Sequence, residues 1–114
     1  VHVDDVADAF LRAGASDACN GGVFNVGGRE PIAHRDLVAL LIEEAGGGTM
    51  RLVEWPDEKK RIDIGSFYSD SSKFMRTTGW APAVGLREGL RGTLAFYRAH
   101  AANYIDAADG AASA

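Results

Sequence analysis

The chain has 114 residues, 46% hydrophobic and 25% charged, which is the size and composition of one globular domain and excludes a disordered chain. A formal charge of −4, a pI near 5.2 and the lack of any long basic block exclude nucleic acid and an anionic membrane surface as electrostatic partners. Cys19 stands alone, so no internal disulfide or cysteine-rich zinc site forms, and no apolar run is long enough to span a bilayer. With no leader peptide in view, the expected compartment is the cytoplasm.

Val1-His2-Val3 alternates as a short strand that begins without a turn or leader, as a piece of a longer protein would. Asp4 and Asp5 supply carboxylates for the free N–H groups of a helix start. Val6, Ala9, Phe10 and Ala13 then follow at helical spacing as one buried stripe. Gly14 ends this helix, and Asn20-Gly21-Gly22 marks a turn. Val23-Phe24-Asn25-Val26 reads as a second strand, closed by Gly27-Gly28. The segment HRDLVALLIEEAGGG is the clearest helix, with Leu37, Val38, Leu41, Ile42 and Ala45 on one face and three glycines as its stop.

Arg51 to Trp55 reads as a third strand, DEKKR as a solvated loop, and Arg61-Ile62-Asp63-Ile64 as an edge strand broken by Gly65. Asp70 is the expected N-cap of a short helix from Ser71 to Thr78, ended by Gly79, and Trp80-Ala81-Pro82 is a rigid connector. Gly85 caps the last helix, with Glu88 placed to satisfy its first turn and Leu86, Leu90, Leu94 and Tyr97 on its face. The alanine-rich residues 106–114 read as a tail. Short strands alternating with about four helices make the fold class α/β.

Chemistry-bearing patterns are sparse. Gly27-Gly28 and Gly46-Gly47-Gly48 lack the spacing of a phosphate-binding or dinucleotide-binding loop. The histidines His2, His34 and His100 never fall at i, i+4, which argues against a metal site, and His2 is read as half-buried and satisfied by backbone. Ser66, Ser69, Ser71 and Ser72 precede a helix, where hydroxyls cap, and no base stands in register to activate them. No catalytic or cofactor-binding residue is therefore assigned. Trp55 is read as a core residue rather than an aromatic platform for a base or sugar. Arg61, after Lys59 and Lys60, is the one position whose chemistry stands out: a guanidinium grips a phosphate through two N–H groups held in a fixed fork.

Three segments in this order carry a resemblance: VHVDDVADAF; VFNVGGREPIAHRDLVALLIEEAGG; and RIDIGSFYSDSSKFMRTTGWAPAVGLREGLRGTLAFYR. The most specific series is Asp70, Ser72, Lys73, then Gly79, Trp80, Pro82, then Leu86, Glu88, Gly89, Leu90, Thr93. Together they resemble the C-terminal portion of the extended short-chain dehydrogenase/reductase family, the NAD-dependent epimerases and dehydratases of nucleotide sugars. The resemblance implies a C-terminal fragment of a Rossmann-type fold, with residues 1–105 as a substrate-binding portion. In the family the glycine fingerprint and the catalytic Tyr-x-x-x-Lys precede this region, and neither occurs here, since Tyr68, Tyr97 and Tyr104 lack a lysine four residues on.

What the resemblance implies for the parent is NAD(P) as cofactor, a nucleotide-diphosphate sugar as substrate, a missing N-terminal cofactor domain as partner and a homo-oligomer such as a dimer. For this fragment alone it implies no cofactor and no turnover. Arg61 matches the family arginine that reaches the substrate phosphates, while Asp63 is either a ribose contact or a solvating residue of the edge strand. The family's Arg-x-Gly-Asp is here drawn out to Arg61-Ile62-Asp63-Ile64-Gly65-Ser66, and Ala33 replaces a helix-capping Ser or Thr, a change that weakens a cap by around 1 kcal/mol. The competing expectation is a non-catalytic module that self-associates or binds a protein through the unpaired edges at Val1-His2-Val3 and Val23 to Val26.

Overall fold

The computed structural model describes residues 1–104; the proposed boundary at 105/106 and the tail at 106–114 lie outside the described residues. Five α-helices occur in this span: α1 (Val3–Gly14), α2 (His34–Ala45), α3 (Asp57–Lys60), α4 (Ser72–Thr78) and α5 (Leu86–Ala99). Short 3-10 turns at Asp17–Cys19 and Ala101–Asn103 complete the order.

Among the described residues there is no strand, which corrects the α/β expectation of strands alternating with helices. A β-ladder needs a partner about 4.7–4.9 Å away that exchanges backbone hydrogen bonds. None of the four segments read as strands makes such an exchange. Val3 instead opens α1, and Arg61 follows the single turn of α3, where a loop was expected. The alternation itself is real at one site: Phe24 and Val26 turn toward the core while Val23 is exposed.

The core consists of Ala9 from α1, Phe74 from α4 and Trp80 from the connector after it. Phe74 sits between two aromatic rings, 5.6 Å from Phe24 in a T-shaped contact and 5.5 Å from Trp80, the offset geometry that ring quadrupoles favour. Trp80 is thus a core residue, whereas Trp55, expected in the core, is exposed. Trp55 is exposed because its whole segment runs outside the packed elements.

The buried stripe of α1 also differs from expectation. Asp5 and Ala9 face inward with Val6 and Ala13 half-buried, while Phe10, Leu11 and Val3 face out. Asp5 takes an inner position because its carboxylate has partners there. Its oxygens accept the amides of Ala83 at 2.8 Å and Val84 at 3.1 Å. Its backbone carbonyl accepts the Trp80 indole N–H at 3.0 Å. A buried carboxylate is tolerated only when its lone pairs are met in this way.

Helix ends follow simple chemistry. His2 caps α1, its Nδ1 accepting the Asp4 amide at 3.3 Å. Gly46 and Gly79 close α2 and α4 at φ +76° and +68°, left-handed values that a side chain disfavours. Ser71 rather than Asp70 is the residue before α4, but the Asp70 carboxylate still accepts the first amide, that of Ser72, at 2.8 Å.

α2 and α5 pack side by side and are clamped at their surface. Arg87 bonds to Glu43 and Glu44, Arg91 to Glu44, and Arg98 to the Ala45 carbonyl at 2.6 Å. Arg87 lowers the pKa of Glu43, and Arg91 followed by Arg87 lowers that of Glu44 despite an opposing effect of desolvation. A carboxylate titrating lower in the folded state contributes stability above its unfolded pKa and loses it as pH falls through the folded one. The clamp is therefore intact above about pH 4.5, the ordinary value, and weakens below it. Arg87→Ala is expected to lower the thermal midpoint at pH 7 and to flatten its fall on acidification, as measured by melting curves. A parallel pH profile in wild type and variant would show that the clamp contributes nothing, which is the common fate of exposed pairs.

Candidate functional site

Two clefts meet at the loop after Val26. The smaller, about 290 Å3, lies between Gly27 to Pro31 and Tyr68 to Ser72. The larger, about 620 Å3, runs along α5 and includes His2, Arg29, Glu30, Leu90 and Thr93 in its lining. Residues 28–31 border both.

The loop is fixed by three contacts. The Gly27 amide donates to Ser71 Oγ at 2.8 Å in a buried bond. A Cβ on Gly27 would stand 3.0 Å from that of Ser69, so only glycine allows this approach without displacement. Arg29 donates to the Pro82 carbonyl through Nε at 2.9 Å and Nη2 at 2.6 Å. That fork ties the loop to the connector that also holds Asp5. Sequence reasoning treated Gly27-Gly28 as a strand stop and passed over Arg29; an arginine directly after a glycine pair was the available signal.

Asp70 is held below the usual carboxylate range by the hydroxyl and amide of Ser72. The Ser71 hydroxyl serves the fold through Gly27. His2 is half-buried and capping, as expected, and its ring lies against Gly89, whose absent Cβ would stand 3.1 Å from Cδ2. His34 opens α2, and His100 ends α5 with its ring stacked on Phe96 at 4.4 Å. Among the described residues no group of three or more His, Cys, Asp or Glu is placed to hold a metal ion.

Arg61 and Asp63 line neither cleft. Both are exposed, in the segment between α2 and α4, and the Arg61 amide donates to the Asp57 carbonyl at 3.3 Å. Tyr68, a little further on, is the point at which this segment reaches the smaller cleft.

Comparison with known proteins supplies the family. The chain is 36% identical over 100 residues to a dTDP-glucose 4,6-dehydratase of Streptomyces griseus, covering 88% of this chain and 30% of that protein. It is 35% identical over 103 residues to a UDP-glucose 4-epimerase of Mycolicibacterium smegmatis, covering 86% of this chain and again 30% of the relative. The chain belongs to the extended short-chain dehydrogenase/reductase family. It spans about 30% of the length of each of these two relatives. No protein-family model matches the chain, and no solved structure does. In this short-chain dehydrogenase/reductase segment no helix among the described residues is long and apolar enough to cross a membrane.

The dinucleotide of this family asks for a glycine loop whose free amides face phosphate at a helix start. Gly27-Gly28 does not fit: the Gly27 amide is committed to Ser71, and α2 begins only at His34.

Proposed function

We propose that the chain is the substrate-binding portion of an NAD-dependent nucleotide-sugar epimerase or dehydratase. The observation that carries this reading is the likeness to two nucleotide-sugar enzymes over most of the chain. Arg61 contacts the diphosphate and Asp63 the ribose of the substrate. In support, the Arg61 side chain is exposed and has no ion-pair partner among the described residues. The chain alone performs no turnover, because a binding surface without the cofactor loop and the Tyr-x-x-x-Lys pair leaves no group to move a hydride or a proton. The cofactor and those residues belong to the remainder of the protein, which acts in the cytoplasm as a homo-oligomer. The outward Val3, Phe10 and Leu11 of α1 supply apolar surface for association.

Calorimetric titration with UDP-glucose and dTDP-glucose tests this. Arg61→Ala is expected to weaken binding by ~10-fold or more, the worth of a charge-assisted hydrogen bond. An unchanged isotherm would remove Arg61 from the site.

A further inference from the structure

The turn Asn20-Gly21-Gly22, between α1 and Phe24, lines neither cleft, yet its backbone is sharply defined. The Gly22 amide donates to the Cys19 carbonyl at 3.0 Å. Asn20 holds φ −59° and ψ 127°, and Gly21 holds φ +69°. These are the angles of a type II turn with Asn20 and Gly21 at its two central positions.

A turn of this kind closes through the amide of its fourth residue and leaves the amide before it unused. Accordingly, the Gly21 N–H meets no acceptor among the described residues. Both central residues are exposed, and no atom lies within 4 Å of the place a Cβ on Gly21 would take. The Asn20 side chain is held by one long bond, its Nδ2 donating to Asp17 Oδ1 at 3.3 Å. An uncommitted backbone nitrogen thus follows an asparagine, with no side chain of its own to shield it.

We propose that Asn20-Gly21 is a site of spontaneous deamidation and isoaspartate formation. The Gly21 nitrogen gives up its proton to water and bonds to Asn20 Cγ. The bond from Cγ to Nδ2 breaks, ammonia leaves, and a five-membered succinimide remains. A water molecule then adds to either ring carbonyl, and the ring opens to aspartate or to isoaspartate. Ring closure requires the peptide between the two residues to rotate away from ψ 127°. The open space around Gly21 permits that rotation, and glycine accepts either sign of φ. The other two asparagines differ: Asn25 precedes the β-branched Val26 and Asn103 precedes Tyr104, side chains that restrict the same approach.

Either product changes how the turn is held. Aspartate sets a second carboxylate where the Asn20 amide now meets Asp17, replacing a hydrogen bond by like-charge repulsion. Isoaspartate also inserts an extra carbon into a backbone confined on both sides. Cys19 packs on the core, and a Cβ on Gly22 would stand 2.6 Å from the Phe24 ring. The joint between α1 and Phe24 therefore loosens as the protein ages.

The test is incubation of the 114-residue chain in mildly alkaline buffer, sampled at intervals by tryptic mapping with electron-transfer fragmentation. Asn20 and Asn25 share the tryptic peptide 13–29, so fragment masses assign the exchange of NH2 for OH to one or the other. Asn20 is expected to convert ~10-fold or more faster than Asn25 and Asn103, the rate equivalent of the strain that a Cβ adds to the rotated backbone. Isoaspartate is expected among the products, and Asn20→Gln, whose longer side chain disfavours the ring, is expected to stay unmodified over the same period. Equal rates at the three asparagines, or aspartate without isoaspartate, would overturn the proposal. The converted protein is expected to melt below the fresh one, and an unchanged thermal midpoint would overturn the loosening of the joint.

Discussion

Replacing Trp80 with alanine is expected to abolish cooperative unfolding of this chain. The largest fully buried side chains are Trp80 and Phe74, and the rest of the buried core is Ala9. Truncating a buried tryptophan costs ~3–5 kcal/mol, comparable with the lower end of the ~5–15 kcal/mol that holds a whole domain together. The loss also strips Phe74 of one of its two aromatic neighbours and leaves the Asp5 carbonyl without its donor. Urea denaturation followed by far-ultraviolet circular dichroism reads the result: a shallow slope in place of a sigmoid. Trp80→Phe separates the two contributions, because it keeps a ring and loses the N–H; its cost is expected near ~1–2 kcal/mol in excess of the area change. A sharp transition in Trp80→Ala with a midpoint near that of wild type would show that the core lies elsewhere.

Asp5→Ala comes next in expected size, at ~2–4 kcal/mol, since it leaves the Ala83 and Val84 amides without acceptors in a partly buried place. Asp5→Asn is expected to recover part of the loss, as one amide oxygen can still accept while its NH2 opposes the second donor. Denaturation midpoints of the two variants order them. Equal stability of Asp5→Ala and wild type would mean that water serves these amides as well as the carboxylate does.

Those two residues also show what a sequence makes legible. Helix α2 was readable end to end, because its apolar spacing and the glycine stop are local signals that the fold leaves untouched. Gly79 and the start of α5 at Gly85 were readable for the same reason. Asp5 was read as a helix-start carboxylate, and nothing local tells that its partners lie at residues 83 and 84. Of the stripe Val6, Ala9, Phe10 and Ala13, only Phe10 faces out, and Asp5 joins the inner face by hydrogen bonding rather than by hydrophobicity. Trp55 and Trp80 have equal claims to a core on composition alone, and only the long-range packing with Phe74 decides between them. The strand readings had the right residue pattern at Phe24 and Val26, but pattern specifies a face and not a partner. Of the candidate site, the arginine at 61 was chosen from its neighbours and chemistry. Arg29 after a glycine pair is a signal in the sequence, but its partner is not, since the acceptor is a backbone carbonyl that any residue offers.

The bond between Trp80 and Asp5 spans 75 positions and that between Ala83 and Asp5 spans 78. Such separations make a slow folder, because the ends of a long loop must meet before any contact rewards them. A ribosome emitting this stretch releases α1 well before its core partners Phe74 and Trp80. Throughout that interval the inner face of α1 stands open to neighbouring molecules in the cell. Any shortening of the chain before Val84 would withhold the amides that Asp5 needs, so a truncated product would be a substrate for proteases and chaperones rather than a smaller version of the same fold.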